Sequence, residues 1–468
     1  MERETNFVKS TLILIIGIVM PKITSFITLP LYTAYLTKAE YGTYDLILTL
    51  SSLFIPIATL MLPHAAFRFL IEYQKDEEEK KRIVTNTFLV LLAMASVSIV
   101  VLYMCLFNMS NLTRFLICLY FLLDVATGTC QQISRGLSKN REYSLSAVIL
   151  ALTNMILVVV ALCILNTGIN GVLWCLIIAT FCSGVYLLFH LKIISLFNIK
   201  YIKKKYVKAL LLYSWPLIPN NISSWAMNMS DKLVVLSFLG VEANAVLAVA
   251  HKLPQILMLV QNAFTMSWQE SAVLSVRDKD VSEYYSKMFR ILYNVMSGAT
   301  MVLIAGTPVM FTLLIRGNYD EAFYQVPIYF IAFFFSCIST YLGGIYLAYK
   351  KSFNVGITTV VSAIINLVVN IVLIRYIGLF AASLSTLCGY VFIDIYRYID
   401  VQKFVRIKFD IKQIIVGLLG IGFSCALCYM RQTAVDAINI IVSLIICCLF
   451  NKDIIKKMLK IAKCKLAK

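Results

Sequence analysis

Charge is scarce in this chain, and acid is scarcer than base. Only 14% of the 468 residues are charged, with 24 Asp and Glu against 42 Lys and Arg, and there are three histidines. So little charge does not suffice to solvate a soluble protein of this length. His64, His190 and His251 are scattered, and no H-E-x-x-H occurs, which excludes the common zinc-protease arrangement. No G-x-x-x-x-G-K-[ST] loop occurs either, so ATP hydrolysis of that type is excluded. Paired carboxylates in a large loop, as a lipid-linked glycosyltransferase needs, are missing. These absences argue against an enzyme and require no cofactor or metal. Thirteen cysteines sit mostly in apolar stretches, where they act as small apolar residues. Cys425 and Cys428 form a C-x-x-C inside one such stretch, with no His or second pair beside it.

What the chain has in excess is apolar length. It is 60% hydrophobic, with a mean hydropathy of +0.84. A hydrocarbon core about 30 Å thick is crossed by roughly 20 apolar residues in a helix. About fourteen such spans read from the sequence, near 11–35, 43–66, 83–107, 114–134, 145–165, 169–191, 208–229, 241–266, 288–314, 325–348, 354–375, 378–399, 413–430 and 434–450. The expected class is an all-α polytopic membrane protein. The first span is too long for a signal peptide, follows Glu2 and Glu4, and ends in no small-residue cleavage site.

The net charge of +18 raises the question of a nucleic-acid partner. Its distribution answers against one. Most Lys and Arg residues fall at the N-terminus, in the C-terminal tail and in every second gap. Positive loops stay cytoplasmic, so both termini are expected in the cytoplasm. The basic tail 452–468 is expected to attract anionic membrane lipids. The outer gaps are short, and the inner ones (68–82, 135–144, 192–206, 269–287, 402–412) are still too small for a soluble domain.

A weak internal repeat is visible. Pro21 followed by Gly42 in the first half is matched by Pro216 and Pro219 followed by Gly240 in the second. Six spans per half put both halves in one orientation, related by an axis along the membrane normal. The expected organisation is two six-helix lobes, 1–206 and 207–411, around a central cavity. Two extra helices and the basic tail occupy 412–468.

Polar residues inside spans mark the candidate site. A charge at the bilayer centre costs at least about 2.5–3.5 kcal/mol on insertion scales. Lys22 lies mid-span beside Pro21, with Ser25 and Thr33 on its face. Lys252 follows His251 and precedes Pro254, with Gln255 and Asn262 roughly on its side. One deep lysine per half suits an anionic headgroup, the alternative being snorkelling or a local ion pair. Asp124, Thr127, Gln131 and Arg135 make one polar stripe on span four. Asn220, Ser224, Asn228 and Asp231 make another on span seven, with Lys232 at its outer end. Either stripe lines a cavity or glues helices together. Asp394 and Arg397, one turn apart, read as a local pair.

Two stretches carry a family resemblance. The run LPLYTAYLTKAEYGTYDL (29–46) resembles the first-to-second-span signature of polysaccharide flippases, and YSWPLIPNNISSWAMNMSDKLVVLSFLG (213–240) resembles their seventh span. These are oligosaccharide-lipid flippases of the Wzx type, in the multidrug/oligosaccharidyl-lipid/polysaccharide exporter superfamily. The resemblance implies a V-shaped pair of lobes, a cationic cavity, and a cargo of sugars on undecaprenyl pyrophosphate in the bacterial cytoplasmic membrane. It implies that Lys22, Lys252, Lys232 and Arg68 serve the pyrophosphate and sugar. Alternating access would carry the headgroup across. An H+ or Na+ gradient, with Asp124 as coupling carboxylate, or withdrawal of product by a partner polymerase would drive it. The rival expectations are a drug/cation antiporter of the same superfamily, a peptidoglycan-precursor flippase, and, from another class, a membrane glycan polymerase or ligase.

Overall fold

The computed structural model of the protein describes residues 2–107, 109–408, 410–452 and 456. All regular structure among them is helical, as it must be where no water is present to satisfy the backbone. The chain divides into two compact units, Met1–Trp225 and Ala226–Lys468. Most of the basic tail lies outside the described residues.

Unit 1 begins with α1 (Glu2–Tyr35), α2 (Lys38–Ala58), α3 (Leu62–Glu72), α4 (Glu77–Cys105) and α5 (Asn111–Gly136). It continues with α6 (Asn140–Val159, extended by a π-helical turn), α7 (Gly168–His190), the single turn α8 (Ile193–Leu196), and α9 (Lys204–Ser214). α1 packs along α6, which with α5 packs on α7. Gly17 permits the first contact, because a Cβ there would lie 2.8 Å from the Ser144 backbone. Thr37 and Glu40 form a capping box that starts α2. Glu40 also accepts a hydrogen bond from the Ile169 N–H (3.3 Å), tying the start of α7 to the start of α2.

α10 (Leu217–Leu239) carries the chain from one unit into the other. Unit 2 continues with α11 (Val241–Lys252), α12 (Gln255–Ser275), α13 (Val281–Ala305), α14 (Thr307–Leu314) and α15 (Asp320–Ala348). The last four helices are α16 (Ser352–Ile377), α17 (Phe380–Val401), α18 (Ile411–Tyr429) and α19 (Thr433–Phe450). α15 is the hub of this unit: α11, α12, α13, α16 and α17 all pack on it. α18 and α19 both pack on α13.

Each of the fourteen expected spans is occupied by one helix or by a broken pair. Eleven described helices are long and apolar enough to cross a membrane, or twelve if the pair α11/α12, bent by 43°, is one span. The differences have physical causes. Span two breaks into α2 and α3, where Leu60 and Met61 take left-handed φ of 48° and 55° between Pro56 and Pro63. Span seven breaks into α9 and α10 at Pro216, which lacks the N–H a continuous helix needs. α17 falls short of that apolarity because it carries Asp394 and Arg397. The repeat is not punctuated alike in the two halves. Gly240 caps α11 at φ 88°, whereas Gly42 is buried inside α2 and Pro21 lies within the uninterrupted α1.

One tightly packed region of unit 2 surrounds Trp268. Its indole stacks on Tyr341 at 4.5 Å, meets Tyr285 edge-on at 5.3 Å, and donates to the Tyr341 carbonyl (2.9 Å). A Cβ on Gly344 would stand 2.5 Å from the indole nitrogen. Gly344→Ala is therefore expected to destabilise the protein by about 1–3 kcal/mol through overpacking. Gly356→Ala, on the same unit but facing open space, is expected to be neutral or to stabilise by about 0.5–1 kcal/mol. Thermal unfolding of both variants in detergent checks the contrast.

Candidate functional site

In unit 1, Lys22 is exposed near the middle of α1. Among the described residues no carboxylate lies within ion-pair distance of it. Its ammonium therefore stands on a helix of apolar residues with Ile18 and Ile23 exposed beside it. Ser25, one turn on, is half-buried, whereas Thr33 is buried and donates to the Leu29 carbonyl (3.1 Å). Arg68 is exposed on α3 and pairs with Glu72 (3.4 Å), both side chains about half exposed. An exposed i,i+4 pair of this kind is weak, so Arg68 can exchange partners.

The span-four stripe turns mostly toward other helices. Thr127 donates to the Thr180 carbonyl on α7 (3.2 Å). Gln131 donates to Ser146 on α6 (3.4 Å). Arg135 lies over the Phe67 ring at 4.9 Å and the Tyr143 ring at 5.7 Å. These three members each make a contact to a neighbouring helix. Asp124 differs: it is half-buried, and its partner is the Tyr120 hydroxyl one turn earlier on its own helix. Beyond Tyr120 lies a tyrosine cluster that the sequence reading missed. Tyr32 sits 5.0 Å from Tyr44 and 6.1 Å from Tyr41. No polar periodicity marks it, because tyrosine reads as apolar in a span.

In unit 2, Asp231 is buried on α10, with 2% of its surface exposed. One carboxylate oxygen accepts from the Asn370 amide (3.1 Å) and the other from the Thr386 hydroxyl. Thr386 in turn accepts from the Asn366 amide (3.3 Å). Asp231 therefore joins α10 to α16 and α17 and does not stand open as a cavity wall. The amide oxygens of Asn366 and Asn370 are buried without partners. Neither Asn366 nor Asn370 belonged to any sequence motif. They lie four residues apart on α16, more than a hundred residues from Asp231, so only the fold joins them. The side chains of Asn220, Ser224 and Asn228 lie outside the described residues.

Lys232 is buried and Lys252 half-buried, and neither is without a partner. His251 packs against the Tyr329 ring at 4.0 Å. Gln255 is half-buried and Asn262 exposed. A polar side chain on that helix that turns inward is Gln261, which donates to Thr340 on α15 (2.6 Å). Helical spacing counted across the α11/α12 break does not predict a shared face, since the 43° bend interrupts the phase. Among the described residues, no group of three or more His, Cys, Asp or Glu side chains could hold a metal ion.

Replacing Asp231 by Asn puts an amide N–H opposite one of two donors. Asp231→Asn is expected to lower stability by about 1–3 kcal/mol, the cost of a buried polar group left unpaired. Denaturation of the purified variant in detergent against wild type checks it.

The family model described as "Polysaccharide biosynthesis protein" matches residues 7–273, which include both 29–46 and 213–240. No curated protein sequence matches the chain. Among solved structures, an inward-facing multidrug resistance MATE family transporter of the MOP superfamily is similar at TM-score 0.69 and 10% identity, over 84% of this chain and 98% of that one. The lipid II flippase MurJ in an inward closed conformation is similar at TM-score 0.68 and 16% identity, over 95% of this chain and all of that one. A MOP superfamily transporter from Pyrococcus furiosus Vc1 (DSM3638), whose binding pocket has reversed polarity, is similar at TM-score 0.58 and 11% identity, over 85% of this chain and 95% of that one. At these identities the structures establish the fold. The chain belongs to the polysaccharide biosynthesis protein family and has the fold of the MOP superfamily transporters.

Proposed function

We propose that the protein is a flippase that moves oligosaccharide units linked to undecaprenyl pyrophosphate from the inner to the outer leaflet of a bacterial cytoplasmic membrane. It would act by alternating access of two lobes, with both termini in the cytoplasm. The observation that carries this reading is Lys22, exposed midway along α1 and without a carboxylate partner among the described residues. An ammonium in such a place needs water or an anion. A pyrophosphate supplies both charge and acceptor oxygens, and hydrogen bonds to charged groups contribute about 1.5–3 kcal/mol each. Lys252 is the second candidate for that headgroup, with Arg68 and Lys232 as further cations. The family match over 7–273 supports a glycan as the cargo. The polyprenyl tail would remain in the surrounding membrane lipids.

The likeness to MurJ extends over 95% of this chain and the likeness to the MATE transporter over 84%. That difference supports a flippase with helices beyond the antiporter set. Direction would come from an H+ or Na+ gradient, with Asp124 as coupling carboxylate, or from a partner polymerase that withdraws product. One charge crossing 100 mV contributes about 2.3 kcal/mol.

Reconstituted vesicles loaded with a fluorescent polyprenyl-pyrophosphate oligosaccharide test the reading. Lipid should become accessible on the far side, and no transfer with any glycan would remove the proposal. Lys22→Ala and Lys252→Ala should each slow transfer about tenfold or more, matching the loss of one charge-assisted hydrogen bond. Full activity in both would remove the headgroup role. Asp124→Asn should flatten the dependence of the rate on the pH or sodium gradient, and an unchanged profile would take Asp124 out of coupling.

A further inference from the structure

Among the described carboxylates of unit 2, Asp394 stands out for its lack of hydrogen-bond support. It lies on α17 with 7% of its surface exposed. Both of its carboxylate oxygens are buried and have no hydrogen-bond partner. The expected pair with Arg397, one turn away, does not form a hydrogen bond because that guanidinium is fully engaged elsewhere. Its Nε donates to Thr358 (3.0 Å). One terminal nitrogen donates to the carbonyl and hydroxyl of Ser339 (2.9 and 3.1 Å). The other donates to the Val355 carbonyl (3.1 Å) and to Thr359 (2.9 Å). Arg397 thus clamps α15, α16 and α17 through neutral acceptors and offers Asp394 its charge but no hydrogen bond.

Asp394 sits within a polar column on one face of α17. Ser383, Thr386, Tyr390, Asp394 and Arg397 follow at helical spacing, and all are buried. On one side, Tyr390 lies between Asp394 and Asp231 and interacts with Ser336. On the other side the column continues past Arg397 to Asp400. That carboxylate accepts from the Tyr346 hydroxyl (2.8 Å), Asn354 (3.4 Å) and Lys403 (2.9 Å) at the end of the helix. The titratable or charged groups that act on Asp394 are Arg397 and Tyr390 from its own helix and Cys337 from α15. From α16, Thr358 and Thr359 approach through Arg397.

A metal cation does not suit this position. It takes several oxygen ligands, and the neighbouring Ile393 and Tyr390 pack with Ala332, Phe335 and Leu387. Asp231 accepts two hydrogen bonds from side chains of other helices, whereas neither oxygen of Asp394 accepts any. A proton needs no ligand beyond the carboxylate itself. An ionised carboxylate without donors is also far costlier to bury than the neutral acid.

We propose that Asp394 is an exchangeable proton-binding site inside unit 2, loaded from the Asp400 end of α17. Loading forms one O–H bond on a carboxylate oxygen and breaks one in hydronium, which leaves as water; unloading is the reverse. The local charge changes by one beside the Arg397 clamp that joins three helices. The use of that proton to drive transport rests on the export reading above, whereas its binding does not.

The test reads binding alone, with the full chain in liposomes and no cargo, so its failure is separable from failure of the flippase reading. Infrared difference spectra between mildly acidic and alkaline buffer should show a protonated-carboxyl band that Asp394→Asn removes, while Asp231→Asn leaves it. A second measurement needs no variant. Dicyclohexylcarbodiimide adds across a protonated carboxyl to leave an acylurea, which mass spectrometry maps. Label should appear on Asp394 and fall severalfold as pH rises. A band that survives Asp394→Asn, or the absence of label on Asp394 at every pH, would overturn the proposal.

Discussion

A polar side chain inside a bilayer has to find its partner within the protein, because lipid offers none. That constraint organises both units. Thr127 and Gln131 reach across to α7 and α6. Arg397 holds α15, α16 and α17 together through five hydrogen bonds. Asp231 ties α10 to two other helices. Between helices in lipid the hydrophobic effect contributes little, so close packing of small residues and such bonds hold the units together. The side chains that escape this rule are the informative ones. Lys22 has no such pairing among the described residues, and Asp394 has no donor. These are the two positions at which the proposed headgroup and the proposed proton would bind.

The same constraint gives the helix breaks their meaning. Four of the fourteen expected spans are each built from two helices, at α2/α3, α9/α10, α11/α12 and α13/α14. A break frees backbone groups and changes the helical phase, so residues on either side no longer share a face. Proline or left-handed φ accompanies each of the four. The lysine and histidine at 251–252 end one such segment, directly before Pro254. Lys252 is thus placed by local chain geometry as much as by helix packing.

Much of the fold was legible in the sequence. Apolar length is a one-dimensional property, and the spans follow from it with small shifts at their ends. The family resemblance in 29–46 and 213–240 lies within the stretch that the family model matches. The site was less legible. Helical spacing within span four grouped Asp124, Thr127, Gln131 and Arg135 on one face, as they are, yet it did not say which neighbour that face would meet. Most of it meets helices. The reading of Asp394 and Arg397 as a pair holds as a charge interaction but not as a hydrogen bond, for a related reason. Proximity along a helix made the pair plausible, but Ser339, Thr358 and Thr359 compete for the same guanidinium from other helices.

The sequence by itself determined that this chain is a helical membrane protein, because hydropathy and the spacing of basic residues are summed along the chain without reference to folding. It also determined which polar residues enter the membrane. Only the tertiary structure decided which of them are satisfied, since a hydrogen bond between Asp231 and Asn370, 139 residues apart, exists only once α10 and α16 lie side by side.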